Sequence, residues 1–242
     1  MIYYVMGRNN YFQFKQFRIE QARSAMKVGI DGILLGAWAD VGDCNTILDI
    51  GTGTGLIALM LAQRSQARIT AIEIEKNAAE EATENVAASP WKDRVEVANV
   101  SLQNFAAETT SKFDLIVSNP PFFQNSLKAD NESRSLARHT DSLSYETLVQ
   151  STSQLLSEKG RFAFIFPETA SMEIEKLAQQ NQLYIRRITR IAPNEKKPAN
   201  RILMEMSKKE TATVTDDLVI YNNDGSCSDN FKTLTRDYYL NF

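Results

Sequence analysis

Ile47-Leu48-Asp49-Ile50-Gly51-Thr52-Gly53-Thr54-Gly55 is a short apolar run that breaks into alternating glycines, with a helix-forming stretch directly after it. The pattern is a strand, a tight turn and a helix start, and glycines there let the backbone approach a ligand closely. Nicotinamide sites space these glycines G-x-G-x-x-G around a pyrophosphate. Here the spacing is G-x-G-x-G, with the Asp49 carboxylate beside it. A carboxylate repels pyrophosphate but suits a ligand that carries an ammonium and a sulfonium group, and S-adenosylmethionine carries both. Glu73 ends the next apolar run, where an acid accepts hydrogen bonds from ribose hydroxyls. Asp49, Gly51, Gly53, Gly55 and Glu73 are therefore expected to bind S-adenosylmethionine.

Outward from this loop, β-rich runs alternate with helical stretches, the signature of a parallel sheet with crossover helices. Strands are expected near 47–50, 69–73, 94–98, 113–118, 161–166, 184–191 and 201–207, and helices near 55–65, 75–88, 144–156 and 168–181. The expected fold is α/β and Rossmann-like, a mostly parallel seven-stranded sheet with helices on both faces. The tail from 214 reads as one more strand, a turn at Asn222–Gly225 and a short amphipathic ending. Asp31–Ala39 reads as a helix with Asp31 as its N-cap, and Lys159-Gly160 as the end of another. Gln124–Asp141 reads as a long polar loop, of a length that usually carries function. Residues 1–40 are expected to close over the substrate and cofactor, and 41–242 to form the catalytic domain, within one compact domain overall.

The fourth expected core strand runs into Asn119-Pro120-Pro121-Phe122. Two prolines fix φ and remove two backbone donors, so an Asn and an aromatic ring are held rigidly at the carboxyl end of a strand. Open α/β sheets bind ligands at that edge. An exocyclic amine on a base is a poor nucleophile because its lone pair is delocalised into the ring. The Asn119 oxygen and the Pro120 carbonyl, accepting its two N–H groups from outside the base plane, draw the nitrogen toward tetrahedral geometry and aim the lone pair at a methyl donor. Phe122 is placed to stack on a base removed from its helix or loop. A strong general base is not required, because the nitrogen becomes acidic once methylated. The same tetrad suits a glutamine amide, so it names the nucleophile class and leaves the substrate open.

The net charge is −3, yet basic residues concentrate in two segments. Residues 1–30 carry Arg8, Lys15, Arg18, Arg23 and Lys27 against Glu20 alone; 184–201 carry Arg186, Arg187, Arg190, Lys196, Lys197 and Arg201 against Glu195. Such asymmetry guides a phosphate backbone to one face, or leaves two solvated basic stretches. Lys27 and Asp31 are expected to help close the cofactor site, and Arg134, Arg138 and His139, in the loop after the tetrad, read as phosphate contacts beside the extruded base or as solvated loop residues. Cys44 and Cys227 make no disulfide framework and have no metal-ligand spacing, so reduced thiols and no metal are expected. No signal-peptide pattern and no bilayer-length apolar run is present, which points to the cytoplasm and to no membrane partner.

Several stretches together resemble the bacterial tRNA(Val) adenine-N6 methyltransferases. They are Phe14-Lys15-Gln16-Phe17, the run Met26–Trp38 with Asp31-Gly32-Ile33-Leu34-Leu35-Gly36-Ala37-Trp38 at its centre, the glycine loop, the Asn119 tetrad, Arg134-Ser135-Leu136-Ala137-Arg138-His139 and Lys197-Pro198-Ala199-Asn200-Arg201. The resemblance implies a class I methyltransferase fold and methyl transfer to N6 of the adenine beside the anticodon of one valine tRNA. It implies tRNA as partner, with Lys196, Lys197 and Arg201 as RNA contacts and the chain a monomer or weak dimer. Asn119 and Pro120 would hold the target amine, with Asn119 also facing the cofactor. Where such enzymes place an acid for the cofactor adenine, this chain has Ser101, followed by Leu102 with its backbone N–H.

Overall fold

The computed structural model describes residues 9–121 and 143–241. After a small antiparallel hairpin of β1 (Tyr11–Gln13) and β2 (Arg18–Glu20), eight strands form one sheet. They are β3 (Thr46–Ile50), β4 (Arg68–Glu73), β5 (Val95–Asn99), β6 (Phe113–Ser118), β7 (Leu156–Pro167), β8 (Tyr184–Asn194), β9 (Arg201–Ser207) and β10 (Val214–Tyr221). Their spatial order is β10-β8-β9-β7-β6-β3-β4-β5, and β9 alone runs against its neighbours. All seven expected core strands are present. The eighth is the expected tail strand, which joins the sheet edge parallel to β8, so the sheet has eight strands rather than the expected seven.

The described helices are α1 (Ile30–Trp38), α2 (Leu56–Arg64), α3 (Lys76–Ala87), α4 (Leu102–Glu108), α5 (Tyr145–Leu155), α6 (Ser171–Gln180) and α7 (Asp229–Thr235). Alternate strand residues feed two apolar clusters. Ile47, Leu115 and Val117 pack with α1 and α2, while Leu48, Ile50 and Ile116 pack with α5 and α6. Burial on both faces is why ILDI and DLIVS read as continuous apolar runs rather than as alternation.

α1 decodes much of the Asp31–Trp38 run. Gly32 and Gly36, one turn apart, face α2: a Cβ on Gly36 would stand 2.7 Å from Met60 Sδ, and one on Gly32 would stand 3.1 Å from Leu56 Cδ2. Only glycine allows the two helices to lie so close. At the other end, Trp38 donates from Nε1 to Thr189 Oγ1 at 2.7 Å, and the Arg187 guanidinium carbon lies 3.6 Å above its ring.

Two expected helix boundaries are corrected. Gly29, not Asp31, precedes α1, without a side-chain cap; Asp31 lies inside the first turn and takes the Arg201 Nε at 3.0 Å. A partner on β9 thus claims the carboxylate that a cap would have used. Lys159-Gly160 does not end a helix: α5 stops at Leu155 and the chain is already extended at Leu156. A Cβ on Gly160 would come within 2.6 Å of the Phe113 carbonyl, so this glycine answers to strand crowding at an irregular β6–β7 register. α4 and the β1–β2 hairpin were not expected, being too short to show a period.

Candidate active site

From β3 the chain steps outward through β4 to β5, then returns to β6 on the other side of β3. The crevice at such a reversal is where open α/β sheets bind ligands. Ile50 pairs with Ser118, and the Ser118 hydroxyl donates to the Ile50 carbonyl at 3.0 Å. Gly51 and Asn119 are therefore the next residues on adjacent strands. A cavity of about 360 Å³ opens between them, bounded by Gly51–Thr54, by Asn119 and Pro120, and by a third wall that includes Lys27, Asp31 and Gly32. Asn119 and Pro120 of the expected tetrad and Gly51–Thr54 of the expected glycine loop thus face one space. Asn119 is half-buried and Pro120 buried.

Gly51 and Gly53 hold left-handed φ of 69° and 57°, and a Cβ on either would meet no atom within 4 Å, so the loop borders open space. Gly55 serves another purpose. Its left-handed φ of 83° starts α2, a backbone conformation that favours glycine, and Ala82 of α3 packs beside it at ordinary contact distance. Asp49 is fully buried under the loop. Its Oδ2 accepts from Thr52 Oγ1 at 2.6 Å and from the Ala58 N–H at 3.1 Å, so a strand residue caps a helix that its own N-cap glycine cannot. Oδ1 is buried with no partner among the described residues. Burial pushes the carboxyl up to about 7, against the lowering effect of the Thr52 and Ala58 hydrogen bonds, with Glu73 adding to the rise. An acceptor without a donor beneath an open glycine loop fits a ligand with positive charge or N–H groups.

Glu73 accepts the Gly53 N–H at 2.9 Å through Oε2 and the Glu75 N–H at 2.9 Å through Oε1, which ties the tip of β4 to the loop. Ser101 is the N-cap of α4, accepting from the Asn104 N–H at 3.2 Å, and Leu102 buries its side chain under the first turn. Of the residues expected to bind the cofactor, Gly51, Gly53, Asn119 and Lys27 line the cavity, while Asp49, Gly55, Glu73, Ser101 and Leu102 lie outside its wall. The Lys27 ammonium donates to the Gln21 carbonyl.

The basic 184–201 segment divides. Arg186 pairs with the buried Glu205 at 3.4 Å, Arg187 stacks on Trp38 and Arg201 is joined to Asp31. Arg190, Lys196 and Lys197 are exposed. Arg201 pairs with Pro167 at the end of β7, so the β8–β9 connection carrying Lys196 and Lys197 lies at the same carboxyl edge as Asn119. Phe122, Arg134, Arg138 and His139 lie outside the described residues. The sequence reading singles out Lys27 and Asp31 of the third wall but not Met26, Val28, Gly29, Ile30 or Gly32, nor the buried Glu81 and Asn85 of α3 that hold the segment leading into it. Irregular backbone has no period, and a polar residue in a helix looks like any solvated position.

A model of the methyltransferase small domain matches residues 33–182. A tRNA1(Val) (adenine(37)-N6)-methyltransferase of Trichodesmium erythraeum is 47% identical over 98% of this chain and 100% of its own length. Proteins of the same name are 45% identical in Phocaeicola vulgatus, over 96% and 99%, and 42% identical in Pectobacterium carotovorum, over 96% and 95%. Among solved structures, a predicted O-methyltransferase of Agrobacterium tumefaciens superposes with a TM-score of 0.65 at 21% identity, covering 88% of this chain and 100% of that one. A ribosomal protein L11 methylase of Lactobacillus delbrueckii does so with a TM-score of 0.57 at 21% identity, covering 79% and 84%. These likenesses establish a class I methyltransferase fold. The chain belongs to the methyltransferase small domain family and, within it, to the tRNA1(Val) (adenine(37)-N6)-methyltransferases.

Proposed function

We propose that this chain transfers a methyl group from S-adenosylmethionine to the exocyclic N6 of adenine 37, beside the anticodon, in tRNA(Val). The observation that carries the proposal is the single cavity shared by the glycine loop, Asn119 and Pro120 at the reversal of strand order. S-adenosylmethionine supplies, when bound, a methyl group on a positively charged sulfur. Asp49, beneath Gly51 and Gly53, supplies negative potential where that ligand's cationic groups are held, while Glu73 takes the ribose hydroxyls. Ser101 and the Leu102 N–H, at the start of α4 beyond the cavity wall, would hold the adenine ring of the cofactor.

Asn119 and Pro120 do the chemical work. Each offers one oxygen to the N6 amino group, so the two N–H bonds are drawn out of the base plane and the lone pair turns toward the methyl carbon. Orientation and fixed dipoles lower the barrier. The proton released from the methylated nitrogen passes to solvent. Phe122 stacks on the extruded base. Lys196 and Lys197, at the carboxyl edge, contact RNA phosphates, as do Arg134, Arg138 and His139. Arg201 joins them while its Nε stays on Asp31. Residues 1–40 close the site over the 41–242 domain, and the enzyme works in the cytoplasm, where its tRNA is.

The test is methyl transfer from labelled cofactor to bulk tRNA lacking its own modifications, followed by nucleoside analysis. N6-methyladenosine at the position beside the anticodon of valine tRNA is expected. Label recovered on another nucleoside, or on a protein glutamine, would refute the assignment.

A further inference from the structure

The third wall of the cavity is fixed by a helix that contributes no residue to the cavity. Residues 21–29 form no strand or helix, so their backbone groups need partners from elsewhere. α3 supplies them from two side chains one turn apart, Glu81 and Asn85, which are 1% and 2% exposed. The Glu81 carboxylate accepts the Arg23 N–H at 2.9 Å on Oε1 and the Ser24 N–H at 2.8 Å on Oε2. Asn85 accepts the Glu20 N–H at 2.8 Å, and its Nδ2 donates to the Glu20 carbonyl at 2.8 Å and to the Thr54 carbonyl at 2.9 Å. Thr54 belongs to the glycine loop and lines the cavity. One amide therefore joins the N-terminal segment to the opposite wall.

The segment then closes on itself. The Gln21 side chain accepts the Val28 N–H at 2.7 Å, and the Lys27 ammonium donates to the Gln21 carbonyl. The bend delivers Met26 through Gly32 to the cavity edge. An apolar pair on α3 would avoid the desolvation of a buried carboxylate and amide. What the polar pair adds is direction: each oxygen of Glu81 meets a separate backbone N–H, and Asn85 uses both ends of its amide.

We propose that Glu81 and Asn85 are positioning residues that hold residues 20–28 as a preformed wall over the glycine loop, so that the cofactor cavity exists before the ligand arrives. The proposal rests on the S-adenosylmethionine reading above. Without the clamp, the closed-wall state is only fractionally populated, and apparent affinity falls in proportion to that fraction. Asn119 and Pro120 stand on another wall, so turnover at saturating cofactor is preserved.

The experiment is calorimetric titration of S-adenosylmethionine into the wild type, Asn85→Ala, Glu81→Gln and Val149→Ala. Val149 is buried on the opposite face of the sheet, so its truncation destabilises without touching the clamp. Each clamp variant is expected to raise Kd, and KM for the cofactor, about tenfold, while Val149→Ala lowers Tm and leaves Kd unchanged. Hydrogen exchange in the ligand-free protein is expected to accelerate at residues 20–28 in the clamp variants only. If Glu81→Gln does not fold, Asn85→Ala decides alone. Wild-type affinity in the clamp variants, or exchange accelerated evenly across the sheet, overturns the clamp. A wild type that takes up no S-adenosylmethionine overturns the underlying reading, and the clamp's role falls with it.

Discussion

The strand-tip walls and the N-terminal wall of one cavity are built by different physics. The glycine loop and the Asn119 tetrad are contiguous in sequence, and each follows a core strand whose register sets its position. Ile50 opposite Ser118 is enough to bring Gly51 beside Asn119. The N-terminal wall has no register of its own. It borrows position from α3 through Glu81 and Asn85, from α2 through Gly32 and Gly36, and from β9 through Arg201 on Asp31. A wall set by sheet register tolerates changes elsewhere in the chain. A wall set by borrowed contacts shifts with any of its creditors.

The largest effect that this comparison implies lies on the strand-tip wall. Asn119→Ala is expected to lower kcat about 100- to 1000-fold, as loss of a single preorganised polar group does elsewhere, with cofactor Kd within about twofold of wild type. Single-turnover transfer and calorimetry on the same sample check the two halves. Comparable turnover in the variant removes Asn119 from the chemistry. The next effect lies on the borrowed wall. Gly36→Ala pushes a methyl group into Met60 and is expected to cost about 1–3 kcal/mol of stability. Denaturant unfolding measures it, and an unchanged midpoint would mean that Met60 yields to the added methyl group and that the close α1–α2 approach does not require glycine.

The same division explains what was legible in the sequence. The seven core strands, the α2 and α3 positions and the shared crevice follow from apolar runs and glycine spacing, which are local signals. Asp31 as an N-cap was a local inference that a distant residue overrode, since Arg201 stands on a strand far along the chain. Gly160 was read as a helix end because a Lys-Gly pair has that local meaning, whereas the Phe113 carbonyl that excludes a side chain there belongs to another strand. Glu81 and Asn85 carry no local signature at all. The basic 184–201 segment was overcounted for the same reason: the partners of Arg186, Arg187 and Arg201 are Glu205, Trp38 and Asp31, none of them adjacent in sequence to its arginine.

What remains exposed on that segment sharpens the comparison at the outer rim. The double charge reversal Lys196→Glu with Lys197→Glu is expected to raise KM for tRNA about tenfold near physiological salt and to reduce the salt slope of binding by roughly one per lysine. Cofactor affinity, set deeper in the crevice, should not move. Titration of RNA binding against salt checks this, and an unaltered slope excludes both lysines as phosphate contacts.

The smallest expected effect tests Asp49, buried beneath the glycine-loop wall and outside the cavity lining. The Asp49 carboxyl titrates near 7 in the fold because burial disfavours its charge, well above its value of about 3.9 in an unfolded chain. A carboxyl raised in the native state binds its proton more tightly there. Its contribution to stability is therefore full below about pH 4 and is lost as pH rises through about 7. A cationic ligand held by Asp49 favours the opposite, ionised form, so binding expels the proton. Affinity for S-adenosylmethionine should then rise about fivefold between about pH 6 and about pH 7, with about half a proton released at pH 7. Titrations in two buffers of different ionisation heat count that proton directly. Asp49→Asn, which keeps an oxygen for Thr52 and Ala58, should flatten the dependence. A pH dependence that survives in Asp49→Asn would assign the titration to another group and leave Asp49 as a helix cap alone.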